Sequence, residues 1–206
     1  MSEIDSVGIV LWGKEKVGKS SIVNVWTNTP QPSSYDHHEP RKVETEITIP
    51  KGTIKLKFFD VAAENIEDKS VTMETHNKSG PIQVFVMSAE EENDDVDYCR
   101  SLYESPMWNA DDVKETAIIL NKMDIAKNNN EELLKSFLEK YPKIMFFKTS
   151  LQNPDEMKKA IVTIVDQYVT DNNIKLKKVK GSKKEKPKKE KSSKDKVSKD
   201  KGCKNQ

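Results

Sequence analysis

The sequence predicts an α/β domain of three layers, a mostly parallel sheet of about six strands flanked on both faces by helices, followed by a disordered basic tail. Three observations carry this. Short apolar runs alternate with longer segments of helical character between residues 7 and 170. One pair of runs, 43–50 and 53–59, alternates apolar and polar residues around a Pro-Lys-Gly turn, the pattern of a hairpin. From Lys175 onward the chain is rich in Lys, Ser and Asp and too poor in apolar residues to fold alone.

Taken in order, VGIVLW (7–12) is a compact apolar run and predicts a buried strand. Residues 20–28 follow as a helix with Ile22, Val23, Val25 and Trp26 on its apolar face. The stretch 29–40, TPQPSSYDHHEP, is Pro- and Ser-rich and reads as an irregular loop. The hairpin comes next, then a polar segment at 61–79. IQVFVM (82–87), TAIILN (116–121) and KIMFFKTS (143–150) are further strands. Helices are expected around 93–105, at 130–141, and at 154–170 through Met157, Ile161, Ile164, Val165 and Tyr168. No internal repeat is present. The division is a folded domain over 1–172 and a Lys-rich tail over 173–206.

Charge is unevenly placed. The 206 residues carry a formal +1, but 175–206 holds fifteen lysines against four acids, a net of +11, leaving −10 on residues 1–174. That asymmetry suggests tethering to an anionic surface. The two cysteines, Cys99 and Cys203, cannot make a disulfide framework and suit a reducing compartment. No apolar run approaches the roughly 18 residues that span a bilayer. MSEIDSVGIV lacks the basic start and apolar core of a signal peptide, and Ser2 excludes N-myristoylation. A cytoplasmic protein, peripheral on the cytoplasmic face of a membrane, is expected.

Gly13-Lys14-Glu15-Lys16-Val17-Gly18-Lys19-Ser20 fits G-x-x-x-x-G-K-[ST], directly between a strand and a helix. The spacing serves phosphate: glycines let the backbone wrap closely, successive N–H groups face the β-phosphate, Lys19 reaches β/γ oxygens, and Ser20 offers a hydroxyl to Mg²⁺. The bland alternative is a Gly- and Lys-containing turn. Asn121-Lys122-Met123-Asp124 follows AIIL at the carboxyl end of a strand, where α/β sheets bind ligands. A carboxylate at Asp124 can accept from both N1–H and the 2-amino group of guanine, which adenine does not offer. Alone, the tetrapeptide could be a polar strand end.

Together these motifs resemble the small GTPases of the Ras superfamily, over about residues 5–170. The resemblance implies a P-loop NTPase G domain and a GTP/GDP switch with Mg²⁺ as cofactor, acting in membrane-associated signalling or vesicle trafficking. It implies a nucleotide site built from Gly13, Glu15, Lys16, Val17, Gly18, Lys19, Ser20, Ser21, Ala63, Asn121, Lys122, Asp124, Ser150 and Leu151. Asp60, ending TIKLKFFD, matches the aspartate that orients Mg²⁺ through water, beside Ser20 as direct ligand. Thr149-Ser150-Leu151 matches the last guanine-contacting motif. VETEITIPKGTIKLKFFDVAAEN runs like the interswitch and second switch of the Rab branch. Effectors and regulators are expected at 30–50 and 60–79, and the protein is expected to be a monomer.

Four departures cluster where the family handles the γ-phosphate. After Asp60 the chain reads VAAE, so Ala63 replaces a glycine and Glu64 the glutamine that orients the attacking water; Glu64 is the weak catalytic candidate left. Counting from Ser20, Tyr35–Asp36 fall in register with a first-switch pair, His38 stands where the family has a Mg²⁺-binding threonine, and Gln31 where an aromatic residue packs on the base. His37 and His38 read as solvated loop residues rather than metal ligands. Glu15 lies where bulk intrudes on the γ-phosphate, and two carboxylates near a polyanion repel it, with Lys14 and Lys16 offsetting some of this. Slow hydrolysis is therefore expected. The alternatives are a non-hydrolysing scaffold that keeps guanine binding, or no effect at all if both glutamates point into solvent. A metabolite kinase is opposed by NKMD. Cys203-Lys204-Asn205-Gln206 is compatible with farnesylation, though Lys and Asn are not aliphatic. One lipid plus a polybasic segment would hold an anionic leaflet; otherwise the tail is a solubilising one. With no aromatic residue among its lysines, specific nucleic-acid binding is not expected.

Overall fold

Apolar runs become a doubly covered sheet. The computed structural model describes residues 3–33, 41–60, 80–90, 95–105, 113–126 and 130–177. Among them the strands are β1 (Glu3–Ile4), β2 (Ser6–Trp12), β3 (Arg41–Ile49), β4 (Gly52–Asp60), β5 (Ile82–Ser88), β6 (Glu115–Asn121), β7 (Met145–Lys148) and β8 (Lys175–Leu176). The helices are α1 (Lys19–Thr27), α2 (Asp95–Tyr103), α3 (Asn130–Lys140) and α4 (Pro154–Asp171), with a 3-10 turn at Met123–Ile125. Six strands form the main sheet in the order β3-β4-β2-β5-β6-β7, parallel except for the β3/β4 hairpin.

β2 shows why its run is apolar throughout. Successive side chains point to opposite faces. Val7, Ile9 and Leu11 join the core under α1 and α4, with Ile22, Ile161 and Val165, whereas Val10 and Trp12 join the core under α2 and α3, with Cys99, Leu102, Leu134 and Phe137. A strand buried on both sides has no polar face to show. β3, at the sheet edge, alternates instead, and its exposed Glu44 and Glu46 lie opposite Lys57 and Lys55 of β4. Opposite charges at such cross-strand positions support the pairing.

The hairpin runs from Arg41 to Asp60, longer at both ends than its alternation indicates, and β7 is shorter than 143–150 because Ile144 closes a turn onto the Tyr141 carbonyl. The two-residue strands β1 and β8, which pair in parallel, were not expected. Ile174 is buried and Leu176 packs against the core, so the packed body continues past the compositional boundary at 172. The expectations for 34–40, 61–79 and the tail beyond 177, including His37, His38, Ala63, Glu64 and Cys203, lie outside the described residues. Among the described residues no helix is long and apolar enough to cross a membrane.

Candidate functional site

The β2–α1, β6–α3 and β7–α4 connections leave the carboxyl ends of parallel strands, and the strand order reverses about β2. That is where an open α/β sheet forms a ligand crevice.

In the β2–α1 loop the backbone turns back on itself through positive φ at Gly13 (146°), Lys16 (60°) and Gly18 (107°). A Cβ on Gly13 would stand 2.3 Å from the Val86 carbonyl oxygen, and one on Gly18 would stand 2.2 Å from Asn121 Nδ2. Only glycine fits either place. Gly18 brings no capping side chain to α1, which leaves the first-turn amides for a ligand or water. Lys19, buried, lays its ammonium inside the loop and donates to the carbonyls of Gly13 (2.8 Å) and Lys14 (2.7 Å). Burial lowers its pKa to about 8, against the pull of Asp60, Asp95 and Glu15. Glu15 is half-buried rather than free in solvent, and its charge reaches Lys19. Val17 is buried, Ser20 and Ser21 are half-buried, and Lys16 is exposed.

The residues expected at the base converge and are tied to that loop. Asn121, 1% exposed, donates from Nδ2 to the Val17 carbonyl at 3.0 Å and accepts from Thr149 Oγ1 at 3.1 Å. Asp124 accepts from Ser150 Oγ at 2.6 Å and from Gln152 Nε2 at 3.3 Å. Backbone bonds Thr149 N–H to Leu120 O and Met123 N–H to Thr149 O pin the two loops together. Lys122, in the left-handed region, forms an ion pair with Glu90. Leu151 is exposed at the rim. The arrangement can present a carboxylate edge and backbone amides to a planar base.

On the other side stand Ser20 and Asp60, the latter 1% exposed. A hydroxyl and a carboxylate are hard oxygen donors. This fits Mg²⁺, which binds through one or two protein oxygens together with waters and phosphates. Asp60 Oδ2 accepts from Arg41 Nε at 3.1 Å, and Arg41 Nη2 donates to Asn24 Oδ1 at 3.2 Å. Gln31 is drawn back onto α1, donating to the Ser21 carbonyl at 3.2 Å.

Sequence reading missed Arg41, Gln152, Glu90 and Asp95. Asp95, buried, accepts from the Ser88 N–H at 2.8 Å; burial raises its pKa, opposed by that bond and by Lys14, Lys19 and Lys122. No local motif marks any of these. Arg41 alone had a signal, its place opposite Asp60 at the hairpin's open end.

Comparison with known proteins follows the same residues. A Ras family model matches residues 8–170. The chain is 25% identical over 188 residues to the tRNA modification GTPase MnmE of Bacteroides thetaiotaomicron, covering 85% of this chain and 40% of that protein. It thus spans well under half the length of that relative. Neither match assigns the Rab branch.

Proposed function

The chain belongs to the Ras family, and from that premise we propose that it binds GTP and GDP with Mg²⁺ as a switch whose hydrolysis is slow. The observation that carries this is the bond from Asn121 to the Val17 carbonyl, which joins the base-reading loop to the phosphate loop as one surface. Lys19 and the amides of 13–21 hold the phosphates, while Asp124, set by Ser150, reads guanine. Asn121 fixes the loop, and Lys122 and Leu151 line the base. Ser20 and, through water, Asp60 would hold Mg²⁺, which when bound would neutralise charge at the β- and γ-phosphates.

Hydrolysis is slow because Glu15 stands half-buried in the phosphate loop and because Ala63 and Glu64 replace the residues that position water. A carboxylate beside a polyanion repels it by on the order of 1 kcal/mol in a partly screened site. Effectors and regulators would dock at 30–50 and 60–79. The +11 tail, with Cys203 as a lipid site, would hold a monomer on an anionic membrane, in signalling or in trafficking of the Rab kind. The relative's tRNA modification is not carried over.

Two measurements on the purified chain test this: affinity for GTP, GDP and ATP, and single-turnover cleavage of bound GTP. Guanine preferred over adenine by about a hundredfold or more, with slow cleavage, is expected. Equal affinity for ATP overturns the guanine reading. Cleavage at an ordinary small-GTPase rate removes the slow-hydrolysis claim. GTP held without cleavage makes the chain a scaffold that holds its nucleotide.

A further inference from the structure

Arg41 opens β3 directly opposite Asp60, the last residue of β4. Its guanidinium donates from Nε to Asp60 Oδ2 at 3.1 Å and from Nη2 to Asn24 Oδ1 at 3.2 Å. Both acceptors are buried, Asp60 1% and Asn24 6% exposed, while the arginine side chain is 37% exposed. The cation is therefore fastened at two points, to a strand end and to the helix that follows the phosphate loop. An arginine brings a fixed +1 charge to this corner.

The position matters because Asp60 is the carboxylate that would hold Mg²⁺ through water. A metal held there would share the Asp60 carboxylate with the guanidinium. Two effects follow, with opposite signs. Like charge would weaken the metal: a +1 charge at about 7 Å from a divalent ion, at a dielectric between protein surface and water, costs on the order of tenfold in affinity. Opposite charge holds the nucleotide when the metal is gone, since the guanidinium supplies part of the compensation the phosphates need.

We propose that Arg41 is a built-in counter-cation at the metal corner that makes nucleotide retention only weakly dependent on magnesium. This rests on the guanine-nucleotide reading above. If Arg41 were only a structural tie between β3, β4 and α1, removing it would lower stability and leave magnesium affinity alone.

The test uses the full chain loaded with a fluorescent GDP. Its release rate is followed from chelator-buffered trace magnesium to millimolar magnesium, and the midpoint reports metal affinity. Wild type should release GDP only a few-fold faster in chelator than at millimolar magnesium, a small span that still defines its midpoint. Arg41→Gln should move the midpoint to about tenfold lower magnesium and speed release in chelator by a similar factor. Arg41→Lys keeps the charge and loses the two-point fork, so it should stay near the wild-type midpoint; unfolding midpoints of the three proteins separate packing from charge. Equal magnesium midpoints for wild type and Arg41→Gln overturn the proposal while GDP binding stands. So does a lysine variant that behaves like the glutamine one. Failure of wild type to bind GDP at every magnesium concentration overturns the guanine reading and this proposal together.

Discussion

Replacing Gly18 by Ala tests the joint between the β2–α1 loop and the end of β6 at Asn121. The new methyl would start at φ 107° and 2.2 Å from Asn121 Nδ2, so the amide must leave its place. Left-handed strain in a non-glycine residue costs about 1–3 kcal/mol. Displacing the amide breaks the 3.0 Å bond to the buried Val17 carbonyl, which adds about 1–3 kcal/mol for the unsatisfied group. The single substitution should therefore cost roughly 2–6 kcal/mol and lower guanine affinity through a residue that need not touch the base. Asn121→Ala removes the same bond and the one from Thr149, and should cost roughly 2–4 kcal/mol. The informative protein is the double variant. With the amide gone the methyl meets open space, the Val17 bond is not lost twice, and only the backbone strain remains. The pair should fall short of additivity by about 1–3 kcal/mol. Urea unfolding followed by tryptophan emission, with Trp12 fully buried as reporter, measures all four corners of the cycle. Additivity within about 0.5 kcal/mol would refute the claim that Gly18 is glycine because of Asn121.

Ser150→Ala removes the 2.6 Å bond that holds Asp124, so GDP affinity should fall about tenfold with little change in unfolding midpoint; equilibrium titration checks it. Glu115 is 9% exposed at the start of β6. Burial, then Asp171, raises its pKa from 4.5 to about 7, opposed by a bond from the Thr116 N–H. The folded protein thus holds this proton more tightly than the unfolded chain. Stability should fall as pH rises from about 4.5 to about 7, by at most about 3 kcal/mol. Glu115→Gln should flatten that slope and unfold at higher urea than wild type at about pH 8, which denaturation across pH reads directly.

What the sequence disclosed and what it did not divide along a physical line. The 13–20 loop and the 121–124 segment are contiguous, so their places, one between β2 and α1 and one at the carboxyl end of β6, were legible from local spacing. The strands of the main sheet were legible because burial on both faces leaves long apolar runs. β1 and β8 were not, because two residues cannot display a period. Arg41, Gln152 and Asp95 escaped for a third reason. Each acts through a partner brought close by sheet register or loop packing, Arg41 on Asp60, Gln152 on Asp124 and Asp95 on the Ser88 amide. Nothing in a residue's immediate neighbours states such a pairing.

The two sides of the crevice are built from different forces, and this bears on why specificity and turnover can part company. The base side is a chain of short-range hydrogen bonds, from Val17 through Asn121 to Thr149 and from Ser150 to Asp124, the first part of it buried. Such groups are costly to leave unpaired and so fix one geometry before any ligand arrives. The phosphate side is governed by charge. Lys19 sits among Asp60, Asp95 and Glu15, and Asp60 is shared with Arg41. Charges act over longer distances, tolerate substitution without loss of shape, and shift the balance between ligands rather than the fold. Under the proposed function, Glu15 and Arg41 would thus retune metal and γ-phosphate affinity while the guanine-reading edge stays as it is. A chain altered this way is expected to keep its nucleotide preference and to lose speed first.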